Sequence, residues 1–115
     1  MRGATTLDAD TEEQVHLRVK ALVVEMLERN GVAKDEIISI FFTATEDVRS
    51  AFPATAARAL GLGDVPLLCA RELDVHGGTP LCIRVMMHLT TDRAPQELRH
   101  VYLEGARSLR TDLPE

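Results

Sequence analysis

Arg84 stands in the run Leu81 to Thr90 beside Ile83, Val85, Met86 and Met87, company in which a guanidinium needs a partner. Buried and unpaired, it would cost several kcal/mol. Spacing leaves two readings open. Arg84 either ion-pairs with Glu72 or Glu104 or lies on an exposed sheet face, or it faces a pocket and is paired by an anionic ligand. Other candidate chemistry is thin. Cys69, Asp74, His76 and Cys82 resemble metal ligands by type, but no pair has the short fixed spacing of a zinc knuckle or an H-E-x-x-H helix, so no metal site is expected. Cys69 could meet His76, His88 or His100 as a nucleophile pair, yet no nucleophile elbow supports it. Gly77-Gly78 reads as a turn, and Met86-Met87 as one core residue beside one facing the opposite surface.

The elements that must position these groups follow from periodicity. Thr11 and Gln14 have the spacing of a capping box, and Val15, Val19, Leu22 and Met26 share one face of a helix that Asn30-Gly31 ends. Its charged residues lie mostly off that stripe, on a solvated face. Ile37 to Thr45, rich in β-branched and aromatic residues, predicts a buried strand. Pro53 opens a helix to about Leu60, closed by Gly61-Leu62-Gly63-Asp64. Val65 to Leu73 predicts a second strand. After a loop at 74–80, Leu81 to Thr90 alternates, with Leu81, Ile83, Val85, Met87 and Leu89 on one side and Cys82, Arg84, Met86 and His88 on the other. Pro95 to Leu98 reads as a helical turn, and His100 to Leu109 as a last strand with Val101 and Leu103 opposite Tyr102 and Glu104. The expected class is α/β (α+β), a mixed sheet packed with helices, in one domain over residues 1–115.

Composition narrows the function classes. The chain has 115 residues, 45% of them apolar, with three Phe, one Tyr and no Trp. Its core must be aliphatic, which suits helices packed on a sheet. A net charge of −5 argues against nucleic acid as a partner, and an anionic ligand would need a local arginine cluster. No apolar run approaches the roughly 20 residues a membrane helix requires. Asp8, Asp10, Glu12 and Glu13 occupy the region where a secretory leader would be basic and then apolar, so a cytoplasmic location with Cys69 and Cys82 as reduced thiols is expected.

Several separate segments then resemble one family. They are Arg2-Gly3-Ala4-Thr5-Thr6, Phe42-Thr43-Ala44-Thr45-Glu46-Asp47, Phe52-Pro53-Ala54 with Arg58, Val65-Pro66 leading to Cys69-x-x-Glu72-x-Asp74, Cys82-Ile83-Arg84-Val85-Met86-Met87, and Arg99-His100-Val101-Tyr102-Leu103. Together, in this order and without large gaps, they resemble the monofunctional chorismate mutases of the trimeric, barrel-like class. The resemblance implies a homotrimer whose sheets form a pseudo-barrel with active sites between subunits. It implies conversion of chorismate to prephenate by an intramolecular [3,3] rearrangement on the route to phenylalanine and tyrosine, with no cofactor and no metal.

Carried over residue by residue, the resemblance makes Arg84 a donor to the breaking ether oxygen and to a carboxylate, and Arg2 the holder of a substrate carboxylate. Glu72 would accept from the ring hydroxyl, with Cys69 close by. Tyr102 would bond a carboxylate, Phe52 and Arg58 would approach from the adjacent subunit, and the backbone of Leu68, Cys69, Ala70, Arg71 and Glu72 would line one wall. The chain departs from the family pattern at three places. Only Met1 precedes Arg2, so a short first strand is expected; Thr55 stands where lysine is often found and Leu68 where threonine is common; and the stretch Asp112-Leu113-Pro114 is expected to leave little tail over the site. Two other readings share an arginine-lined cleft: a non-catalytic trimer binding a small carboxylate, and an imine or enamine hydrolase of a similarly shaped trimeric family.

Overall fold

The structure, a computed structural model, describes residues 1–112, and the expectation for Leu113 and Pro114 lies outside the described residues. Strand β1 (Arg2–Thr6) leads into helix α1 (Glu12–Asn30). Thr11 caps α1 by accepting from the Gln14 N–H, and Gly31, at φ 59°, takes the left-handed conformation that closes the helix. Val15, Val19, Leu22 and Met26 are fully buried, as their spacing predicts. Strand β2 (Ile37–Ala44) follows, then the short helix α2 (Pro53–Ala57), which widens into a π-turn over Arg58–Leu62 and breaks at Gly61 (φ 85°). Strands β3 (Leu67–Arg71), β4 (Cys82–Leu89) and β5 (Val101–Tyr102) complete a five-stranded sheet ordered β3-β2-β4-β1-β5. The β2–β4 and β4–β1 pairings are antiparallel, and the two edge pairings are parallel. One face of the sheet, with Ile40, Phe42, Ile83, Val85 and Met87, packs with the α1 stripe and the alanines of α2 into the aliphatic core.

Four expectations change. Val65 and Pro66 stay outside β3, because the Val65 N–H bonds back to Leu62 and Pro66 has no N–H to offer a ladder. At its other end β3 stops at Arg71, and Leu73 is exposed. The extended run from His100 to Leu109 is only two residues of strand: Glu104 has φ 54°, and Glu104–Leu109 coils into a 3₁₀ helix that buries Ala106. Leu81 likewise sits at φ 49°, so β4 begins at Cys82. Strand β2 is not buried on both faces, since Phe41 looks outward.

Candidate active site

Arg2, Leu68, Ala70, Arg84 and Tyr102 lie on the sheet face that turns away from the helices. Register sets them side by side: Ala70, Thr43, Arg84, Ala4 and Tyr102 form one row across all five strands, and Leu68, Phe41, Met86 and Arg2 form a neighbouring row. Alternation in β4 brings this about. Val85 and Met87 are drawn into the core, so Arg84 and Met86 must face outward. Arg84 is further fixed at the start of its strand, where Asp47 accepts the Leu81 N–H at 2.9 Å and the Thr45 hydroxyl accepts the Cys82 N–H at 3.0 Å.

Arg84 pairs with Glu72, its Nε lying 3.4 Å from Oε2, while Glu104 goes to Arg18 instead. The ion pair is only partly shielded, with the Arg84 side chain 46% exposed and that of Glu72 28%. Glu72 is held from two further directions. The Thr43 hydroxyl donates to its Oε2 at 2.8 Å, and the Leu73 N–H donates to its Oε1 at 3.0 Å. No second carboxylate pairs with Arg84 among the described residues, so its Nη groups keep their donors for another acceptor.

Arg2, Glu72, Arg84 and Tyr102 converge on one cavity of about 190 Å³, walled also by Phe41, Thr43 and Met86. Glu72 and Arg84 separate it from a larger cavity of about 330 Å³ that is edged by Glu46, Asp47 and Asp74. Charge distinguishes the two. The first sets two guanidiniums against one carboxylate, and the second sets one against four, so the first is the one whose charge suits an anion.

Phe52, Cys69, Ala70 and Arg71 line a separate cavity of about 430 Å³ with Val48, Ser50 and Pro53. The loop leading to Phe52 is pinned there by Asp10, whose Oδ1 accepts the N–H groups of both Arg49 and Ser50 at 3.0 Å; these bonds, the Arg49 N–H first, hold its carboxyl below the usual range. Cys69 pairs in register with the buried Phe42 and so belongs to the core side of β3, away from Arg84. Leu68 lies on the outer face, and Arg58 reaches only Thr55, at 3.2 Å. Within one chain the sequence-derived set therefore falls into two clusters, with Arg58 apart from both. Thr43, which orients Glu72, carries no role in the sequence reading; the only signal for it was its place between Phe42 and Ala44, on the face it shares with Phe41.

Burial pushes the Cys82 thiol above its ordinary value despite the nearby Arg84 guanidinium, so it is a poor nucleophile. Among the described residues no three His, Cys, Asp or Glu side chains gather as metal ligands, and no helix is long and apolar enough to cross a membrane.

The family model described as chorismate mutase type I matches residues 1–113. The chain belongs to the type I chorismate mutases. A chorismate mutase AroH of Thermus thermophilus is 47% identical over 114 residues, covering 98% of this chain and 93% of the relative. That of Bacillus subtilis (strain 168) is 43% identical, covering 98% and 90%. A solved chorismate mutase from Clostridium thermocellum superposes with a TM-score of 0.92 at 46% identity, covering 94% of this chain and 96% of the other. The mixed sheet with its helices is thus a chorismate mutase fold, and the chain is an isomerase.

Proposed function

We propose that this chorismate mutase rearranges chorismate to prephenate in the cavity bounded by Arg2, Glu72, Arg84 and Tyr102. The convergence of two guanidiniums, a phenol and a fixed carboxylate on one apolar-walled space carries this reading. In the reaction one C–O bond breaks and one C–C bond forms within a single molecule, so no oxidant, base or cofactor enters the balance. The protein has two tasks: to hold the flexible dianion compact with its reacting carbons together, and to meet the ether oxygen as it gains negative charge.

Arg84 serves the second task, its Nη donors turned to the ether oxygen while Nε stays anchored on Glu72. Preorganisation is the gain, because an arginine already tethered loses little freedom when the transition state forms. Arg2 and Tyr102 take carboxylate oxygens, and Glu72 accepts from the ring hydroxyl. Phe41 and Met86 give the cavity a low-dielectric wall, which strengthens each of these interactions.

The working unit in this reading is a homotrimer of single-domain chains, residues 1–115, with Phe52 and Arg58 of one subunit closing the cleft of its neighbour and the backbone of Leu68 to Glu72 lining one wall. Two observations support it: the second cluster lies apart from the first within a chain, and Leu68, Phe41 and Met86 leave 58%, 44% and 40% of their surface exposed on the outer sheet face. Two unbridged cysteines fit a reducing, cytoplasmic setting. The test is direct. Purified protein treated with EDTA should consume chorismate and yield stoichiometric prephenate; tight carboxylate binding without turnover would overturn the reading in favour of a binding protein.

A further inference from the structure

The N–H of Arg2 does not bond to a backbone carbonyl of the edge strand beside it. It donates instead to Nδ1 of His100, at 2.9 Å, across 98 residues of sequence. The β1–β5 ladder begins only at Gly3 opposite Val101, so the imidazole substitutes for the first rung and fixes the strand residue that carries the cavity's second guanidinium. His100 is itself held in place. The buried side-chain amide of Asn30, the last residue of α1, clamps the preceding residue through both its backbone groups: the Arg99 N–H donates to Oδ1 at 2.6 Å, and Nδ2 donates to the Arg99 carbonyl at 2.8 Å and to the Met26 carbonyl at 2.9 Å.

We propose that His100 is a positioning residue for substrate binding, its neutral imidazole accepting the Arg2 N–H and thereby aiming Arg2 at a carboxylate of the substrate. The inference rests on the role given to Arg2 above. Only the unprotonated ring can accept at Nδ1. The surroundings favour that form: the charged groups facing His100 are Arg2 on β1, the Met1 ammonium, and Arg110 beyond the last 3₁₀ turn, all cations. Arg110 is paired with Asp112, and the Arg99 head is turned back to the Gln96 carbonyl. Burial first, then these cations, lowers the imidazole below its ordinary value of 6.5. Arg2 is therefore anchored at neutral pH, and the anchor is lost when acid protonates the ring.

Chorismate kinetics from acid to neutral pH test this with four proteins: parent, His100→Leu, His100→Asn and Arg2→Ala. Asn keeps an acceptor near the Nδ1 position and does not titrate. In the parent, KM should be flat at neutral pH and rise below the ordinary imidazole value, with kcat changing less. His100→Leu should raise KM about five-fold at neutral pH, the equivalent of one ordinary hydrogen bond, and lose the acid dependence. His100→Asn should keep the neutral KM and also lose the acid rise. Adding His100→Leu to Arg2→Ala should raise KM no further than Arg2→Ala does alone. If Arg2→Ala raises KM and His100→Leu does not, or if the acid rise survives in His100→Asn, the inference is wrong and the proposed function stands. If Arg2→Ala leaves KM unchanged, the role of Arg2 fails and takes the inference with it. Should His100→Leu fail to fold, the pH profile of His100→Asn decides between the same outcomes.

Discussion

Arg84 is the residue in which composition and function meet, because a cation set among apolar neighbours needs either solvent or a partner for its charge. Its ion pair with Glu72 is made through Nε, and the residue lines the cavity. A rate enhancement of 10⁶ corresponds to about 8 kcal/mol. One preorganised donor at developing charge supplies about 3–4 kcal/mol of that, and conformational restriction can supply a similar share. In the proposed site Arg2 and Tyr102 would bind carboxylates that are equally charged in reactant and transition state. Arg2→Ala and Tyr102→Phe should therefore raise KM more than they lower kcat, and a kcat collapse with unchanged KM in steady-state assays would contradict that division. Thr43→Val removes the hydroxyl that orients Glu72. It should lower kcat/KM by about ten-fold, the worth of one hydrogen bond to a charged group, with little change in thermal stability. The oddity of Arg84 was legible from its neighbours alone. Its choice of Glu72 over Glu104 was not, since that depends on β3 and β4 both flanking β2, a pairing no local pattern encodes.

At the scale of elements, the long helix and β4 were readable because each repeats a simple period and ends on recognisable punctuation, Thr11 and Gly31 for α1. The short last strand was not. Val101 and Leu103 keep a strand-like interval, but Ala106 and Leu109 follow three apart, and what turns the chain is the left-handed backbone at Glu104, with the Gly105 N–H donating to the Thr6 hydroxyl at 2.9 Å, a tertiary contact with β1. Strand β1 itself is held close to α1 at Gly3, where an added Cβ would lie 2.6 Å from the Met26 sulfur and 3.2 Å from the Val101 carbonyl. Gly3→Ala should thus push β1 off the helix, destabilising the fold by about 1–3 kcal/mol and displacing Arg2. Thermal unfolding and KM should worsen together; a variant with parental Tm and KM would show that the strand has room to spare.

For the whole molecule, the outer face of the sheet decides the outcome. Strand β2 reads as fully buried in sequence because Ile38, Phe41 and Phe42 are all apolar, and within one chain only half of that promise is kept. On the proposed trimer the discrepancy has a physical reason: a pattern records that a side chain is withdrawn from water, not which chain withdraws it. On the proposed trimer, Phe41→Glu should give protein with parental far-UV circular dichroism that sediments as a monomer and has lost most of its activity, because the cleft would lack its second wall. A monomeric Phe41→Glu protein with full activity would refute a shared site. Catalysis by guanidiniums rather than a titrating base also makes kcat nearly level from neutral to mildly alkaline pH, and a bell-shaped kcat profile there would point to an acid–base group instead.

The most direct measurement is kcat for chorismate with Arg84→Ala and Arg84→Lys beside the parent, at saturating substrate and after EDTA treatment. Stabilisation of the ether oxygen by Arg84 requires kcat to fall by about 10²–10³-fold or more in Arg84→Ala, with Arg84→Lys also poor because an ammonium lacks the planar fork and EDTA without effect on any of the three. An Arg84→Ala protein turning over within a few-fold of the parent would contradict it.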